Sequence, residues 1–104
     1  MPLAPVATLA DLAAGALLAV TLPDGTAVCL ANVSGEVCAF ADECPHAAFP
    51  MSAGELLDDG TVLCAWHGAR FDARTGRVVA GPADAPLAVY PVRVEGGAIY
   101  VGSE

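Results

Sequence analysis

The stretch Asp42-Glu43-Cys44-Pro45-His46-Ala47-Ala48-Phe49, answered further on by Cys64-Ala65-Trp66-His67-Gly68-Ala69-Arg70-Phe71, decides how this chain folds and what it holds. Each run offers one thiolate and one imidazole at a tight turn, and seventeen residues separate His46 from Cys64. Two Cys and two His make a complete four-ligand set for a metal centre. Tetrahedral zinc accepts that set, but zinc sites space the paired ligands of each half by two to four residues. Only Pro45 stands between Cys44 and His46. The chain has no other histidine, and each of the two sits beside a Cys. Scattered core histidines have no reason to adopt that arrangement.

The residues around the ligands continue the pattern. They are Trp66-His67-Gly68-Ala69-Arg70-Phe71-Asp72, Thr75-Gly76, the proline-bounded Gly81-Pro82-Ala83-Asp84-Ala85-Pro86-Leu87, Tyr90, and Val92-Arg93-Val94-Glu95-Gly96. Together with Cys-x-His and Cys-x-x-His they resemble a Rieske ferredoxin over about residues 9–101. The resemblance implies a 2Fe-2S cluster, one per chain, with Cys44 and Cys64 on one iron and His46 and His67 on the other. It implies one-electron transfer and no catalytic residue. Imidazole in place of two thiolates removes negative charge from the core, which is why such centres sit at higher potential than four-thiolate ones. Local chemistry fits as well: Gly68 suits a tight closure, Thr75-Gly76 a hairpin turn, and the prolines a stiff cover.

Cys29 and Cys38 bear on which branch of the family the chain resembles. High-potential Rieske proteins carry an extra Cys in each ligand loop, and those two form a disulfide; here the loops offer Ala47, Ala48, Phe49 and Trp66 instead. Cys29 and Cys38 lie in apolar stretches that read as the two arms of a hairpin turning at Ser34-Gly35, and buried thiols are the expected state. Ala69 and Phe71 stand where high-potential relatives place hydroxyl donors, so the resemblance implies a potential low in the Rieske span of roughly −150 to +300 mV. Ala65 departs from the usual Pro after the second Cys and predicts a slightly looser loop.

A chain of 104 residues is expected to form one domain with its own core, without a second catalytic module. The charge-free run at residues 12–23 is too short to span a bilayer, and the first ten residues hold no Lys or Arg to open a signal peptide. A cytoplasmic location is the expectation. Twelve acidic residues against four basic ones, a formal net charge of −8, argue against nucleic acid or anionic membrane as a partner.

Short Val- and Ala-rich segments, broken by Pro-Asp-Gly at 23–25, Ser34-Gly35, Asp59-Gly60, Thr75-Gly76 and Gly96-Gly97, predict an antiparallel all-β domain. Strands are expected at 17–22, 26–33, 36–40, 62–65, 70–72, 78–80, 89–94 and 98–101, with a helical turn within 8–14 behind a Thr cap. The family resemblance implies a β-sandwich or barrel base with a cluster-binding subdomain, about 42–81, inserted in it.

Three functions fit the sequence. The first is the ferredoxin component of a bacterial ring-hydroxylating dioxygenase system, a monomeric shuttle that takes electrons from an NAD(P)H-dependent flavin reductase and passes them transiently to a terminal oxygenase. The second is the Rieske-type small subunit of an assimilatory nitrite reductase. The third is a zinc-stabilised binding module. At the cluster end, Asp42 and Glu43 lie before Cys44 while Arg70, Arg74 and Arg77 follow His67, so a docking face of both signs is expected there.

Overall fold

The computed structural model describes residues 3–44, 49–65, 68–81 and 85–102. In chain order these form strands β1 (Ala4–Thr8), β2 (Leu17–Thr21), β3 (Ala27–Val33), β4 (Glu36–Ala41), β5 (Glu55–Leu56), β6 (Thr61–Leu63), β7 (Arg70–Asp72), β8 (Val78–Ala80), β9 (Val89–Tyr90), β10 (Val92–Glu95) and β11 (Ala98–Val101). They assemble into three sheets, ordered β1-β11-β10, β2-β3-β4-β9 and β5-β6-β7-β8. Every pairing is antiparallel, as the turn-rich sequence predicts.

The β3–β4 hairpin organises the rest. Successive side chains of a strand point to opposite faces, and here both faces are covered. Cys29, Ala31, Val33, Cys38 and Phe40 pack into one core with Val62 and Phe71 of the β5–β8 sheet. Val28, Leu30 and Ala39 pack into a second core with Ile99 and Val101 of β11. The hairpin is thus a middle layer, which explains why the segment AVCLANV reads as a nearly unbroken apolar run rather than an alternation. Its turn uses positive φ at both Ser34 and Gly35, the geometry that matches the twist of the flanking strands. Asn32, the polar residue of that run, is satisfied on both ends of its amide. Its Nδ2 donates to the Leu12 carbonyl at 2.9 Å, and its Oδ1 accepts from the Gly35 amide at 2.7 Å.

Several expectations need correction. The helical turn is a single 3-10 turn, Leu9–Asp11, with the Asp11 carboxylate accepting from the Thr8 amide and hydroxyl at 3.2 and 3.0 Å. Strands β1 and β5 were not expected. The former carries Pro5 and shifts register between Pro5 and Ala7, and the latter is only two residues long. The expected strand 89–94 is two strands in two different sheets, β9 beside β4 and β10 beside β11, divided at Pro91. Proline has no N–H to donate to a ladder, so the chain changes sheets there. Among the described residues no helix is long and apolar enough to cross a membrane.

Candidate metal centre

Both cysteines of the paired motifs are at the mouths of loops, and both loops close in the same way. The Cys44 amide donates to the Phe49 carbonyl at 2.8 Å, and the Cys64 amide donates to the Ala69 carbonyl at 2.8 Å. In each case a donor at position i meets an acceptor at i+5. The second loop carries one more bond, from the Gly68 amide to the Cys64 carbonyl at 3.1 Å. His46, Trp66 and His67, together with Pro45, Ala47 and Ala48, lie outside the described residues, as do residues 82–84 of the proline-bounded cover.

The two loops are set against each other by the short sheet. Strand β5 pairs with β6 so that Glu55 faces Leu63, one residue before Cys64. At Gly54 the backbone runs so close to the Leu63 carbonyl that a Cβ would collide with it. The exit of the first loop therefore rests on the entrance of the second, and any side chain at position 54 would push them apart.

Cys44 and Cys64 are each 1% exposed and belong to one core with Met51, Ala69, Phe71 and Leu87. No disulfide joins any of the four cysteines. A metal centre needs thiolates, and a thiolate buried among apolar side chains is costly unless a cation compensates it. Two thiols delivered to one buried place by two loops, in the motifs that also carry the only two histidines, suit an iron–sulfur centre in their donor chemistry.

The other two cysteines serve a different purpose. Cys29 and Cys38 sit on the same face of the β3–β4 hairpin, in the core beneath the loops. Burial, with the Asp42 charge as a smaller cause, pushes the Cys29 thiol up to about 12 from an ordinary 9.0. Burial followed by the Glu36 charge also raises that of Cys38. Both are packing thiols, as expected from sequence.

Of Arg70, Arg74 and Arg77, the three arginines that closely follow His67, two are ion-paired. Arg70 pairs with Asp59 at 2.6 Å and Arg74 with Glu36 at 2.7 Å, so neither guanidinium is available as an unopposed positive contact. Such exposed pairs contribute little to stability, but they leave the acidic balance of the surface intact. Asp42 is also engaged: its carboxylate accepts from the Ser52 amide at 2.6 Å and from the Ser52 hydroxyl at 2.8 Å. Sequence reading did not find that pair, because nothing in the motif marks a serine ten positions away as a partner. Ala69 and Phe71 are fully buried, so side chains without hydroxyls fill those positions beneath the second loop.

Comparison with known proteins agrees with this geometry. The model of the Rieske [2Fe-2S] domain family matches residues 3–91. The chain is 45% identical over 91 residues to the ferredoxin component of the p-cumate 2,3-dioxygenase system of Pseudomonas putida, covering 88% of this chain and 77% of that protein. Its fold matches the ferredoxin of carbazole 1,9a-dioxygenase from Nocardioides aromaticivorans IC177 with a TM-score of 0.91 and 32% identity, over 100% of both chains. A structure of a complex of reduced oxygenase and oxidized ferredoxin in carbazole 1,9a-dioxygenase matches with a TM-score of 0.90 and 28% identity, over 98% of this chain and 94% of that one.

Proposed function

Because the chain belongs to the Rieske [2Fe-2S] domain family, we propose that it is the ferredoxin component of a ring-hydroxylating dioxygenase system, an electron carrier and not itself an enzyme. It receives electrons from an NAD(P)H-dependent flavin reductase and delivers them to a terminal oxygenase. The relatives named as dioxygenase ferredoxins support the system, and the ferredoxin–oxygenase complex supports the partner. The bound cluster supplies a site that takes up and releases one electron.

In this reading Cys44 and Cys64 hold one iron, and His46 and His67 hold the other. Cys44 and Cys64 provide the buried, anionic end of the site, and the apolar core around them keeps water away from it. Gly54 keeps the two loops at contact distance. The carrier works as a monomer in the cytoplasm and meets its partners in transient encounters, which are the smallest class of specific interface. The observation that carries the proposal is the pair of matched loop closures, each with a buried cysteine at its mouth.

Metal and sulfide analysis of the purified protein tests it directly. The expected result is about two irons and two acid-labile sulfides per chain with a red-brown colour. In a reconstituted assay with a reductase and a terminal oxygenase, the protein should restore electron flow. Stoichiometric zinc in a colourless protein overturns the reading. Stable co-purification with a nitrite reductase large subunit, with no transfer to any oxygenase, assigns it instead to that enzyme.

A further inference from the structure

The two ligand loops are supported unequally by the backbone. The second lies between β6 and β7, which pair up to Leu63 and Arg70, so its closing bond from Cys64 to Ala69 continues an existing ladder. The first leaves β4 at Ala41 and returns through Phe49 and Pro50 into the 3-10 turn Met51–Ala53, and among the described residues no strand pairing joins its two flanks. Beyond the Cys44–Phe49 backbone bond, a side chain joins them. Asp42 and Ser52 bracket the loop, and the carboxylate takes both Ser52 donors, the amide on Oδ1 and the hydroxyl on Oδ2.

We propose that Asp42 is a positioning residue for the metal centre: its two-oxygen grip on Ser52 replaces the missing ladder, ties the two flanks of the first loop together and so holds Cys44 in place for the cluster. Both ends of the grip are anchored. The Asp42 amide donates to the Ala27 carbonyl at 3.1 Å, at the start of β3. Ser52 follows Met51, which is fully buried in the core that contains Cys44 and Cys64. The inner closure, Cys44 to Phe49, therefore sits inside an outer one, Asp42 to Ser52. Bonds from an amide and a hydroxyl to an ionised carboxylate are roughly twice as strong as neutral ones, so the outer closure is the stronger of the two. The proposal rests on the reading of Cys44 and His46 as ligands.

The test uses the purified holoprotein and four variants: Asp42→Ala, Asp42→Asn, Ser52→Ala and the double Asp42→Ala/Ser52→Ala, with Asp11→Ala as a surface control. Cluster loss to excess chelator is followed by visible absorbance below the melting temperature, and hydrogen exchange of the peptide spanning 43–52 is followed by mass spectrometry. Asp42→Ala should speed cluster loss about ten-fold and exchange in that peptide by a similar factor, leaving the β3–β4 hairpin unchanged. Ser52→Ala, which keeps its amide, should give about three-fold, and adding it to Asp42→Ala should give nothing more. Asp42→Asn should recover most of the protection, because its Oδ1 still accepts the Ser52 amide, and the visible circular dichroism should change only in the two variants that carry Asp42→Ala. Wild-type rates in Asp42→Ala, effects that multiply in the double variant, or equal effects in Asp11→Ala overturn the proposal. If Asp42→Ala does not accumulate, Ser52→Ala decides, with a wild-type rate counting against it. Loss of the ligand reading is separable, since it would appear as missing iron in the wild type, while the exchange of residues 43–52 still reports the grip.

Discussion

Gly76 and Leu87 hold each other across the proline-bounded segment. The Leu87 amide donates to the Gly76 carbonyl at 2.7 Å, and the Leu87 carbonyl in turn lies where a Cβ on Gly76 would stand. Gly76 also has φ of +79°, which other residues adopt only with strain. This contact brings the chain back after β8 and seats Leu87 in the core shared with Cys44 and Cys64.

Gly76→Ala should therefore cost more than the backbone strain alone, about 3 kcal/mol in total. For a domain of this size that corresponds to a drop in melting temperature of about 10 °C or more. Thermal unfolding followed by far-ultraviolet circular dichroism measures it. A melting temperature within a degree or two of wild type would show that residue 76 and Leu87 separate freely.

The assignment of ligands makes a prediction that discriminates among cysteines. Cys64→Ser and His67→Ala should each lose the visible absorption of the cluster. Cys29→Ser should keep it, at some loss of stability from placing a hydroxyl in the core, because Cys29 lies on β3 outside both loops. Absorption spectra and iron content of the three purified variants decide the matter, and a colourless Cys29→Ser would mean that the ligand set is wrong.

How much of this was readable in the sequence differs from element to element. The paired Cys/His motifs stand out in the sequence, because Cys-x-His and Cys-x-x-His are spacings with few structural uses, and the structure places Cys44 and Cys64 in one buried core. The β3–β4 hairpin was legible from Ser34-Gly35 and its apolar arms, yet its place as a middle layer was not. A strand covered on both faces and one covered on one face differ only in whether their polar positions are filled by Ala and Cys. The break at Pro91 was hidden in a strand-like run, and β5 was too short to carry a pattern. The Asp42–Ser52 pair and the Gly54 contact depend on tertiary approach, which no local signal encodes.

Alkaline stability should depend on Cys29. Its thiol titrates at about 12 in the folded protein against 9.0 when unperturbed, chiefly because burial disfavours the thiolate. As pH rises the unfolded chain releases this proton first, so the neutral thiol's contribution is complete below pH 9 and is lost between pH 9 and about 12. The loss per pH unit is at most about 1.4 kcal/mol for a single proton. Cys38 shifts the same way and adds to the slope. Urea midpoints at a series of alkaline pH values, compared between wild type and Cys29→Ala, isolate the effect. Parallel curves for the two proteins would remove Cys29 as the cause.

Electron delivery should depend on salt in a direction set by the surface. The formal charge is −8, Arg70 and Arg74 are already paired to carboxylates, and Glu43 stands exposed immediately before Cys44. Long-range attraction to a basic partner is screened over about 8 Å at physiological ionic strength, so transfer to the oxygenase should slow as salt is raised. Removing one rim charge changes the encounter rate more than the affinity, so Glu43→Gln should slow second-order transfer several-fold at low salt and have little effect at high salt. Stopped-flow reoxidation of the reduced protein by its oxygenase, measured across ionic strength, gives both numbers. A rate that is flat or rises with salt would mean that apolar contact, not the acidic surface, steers the encounter.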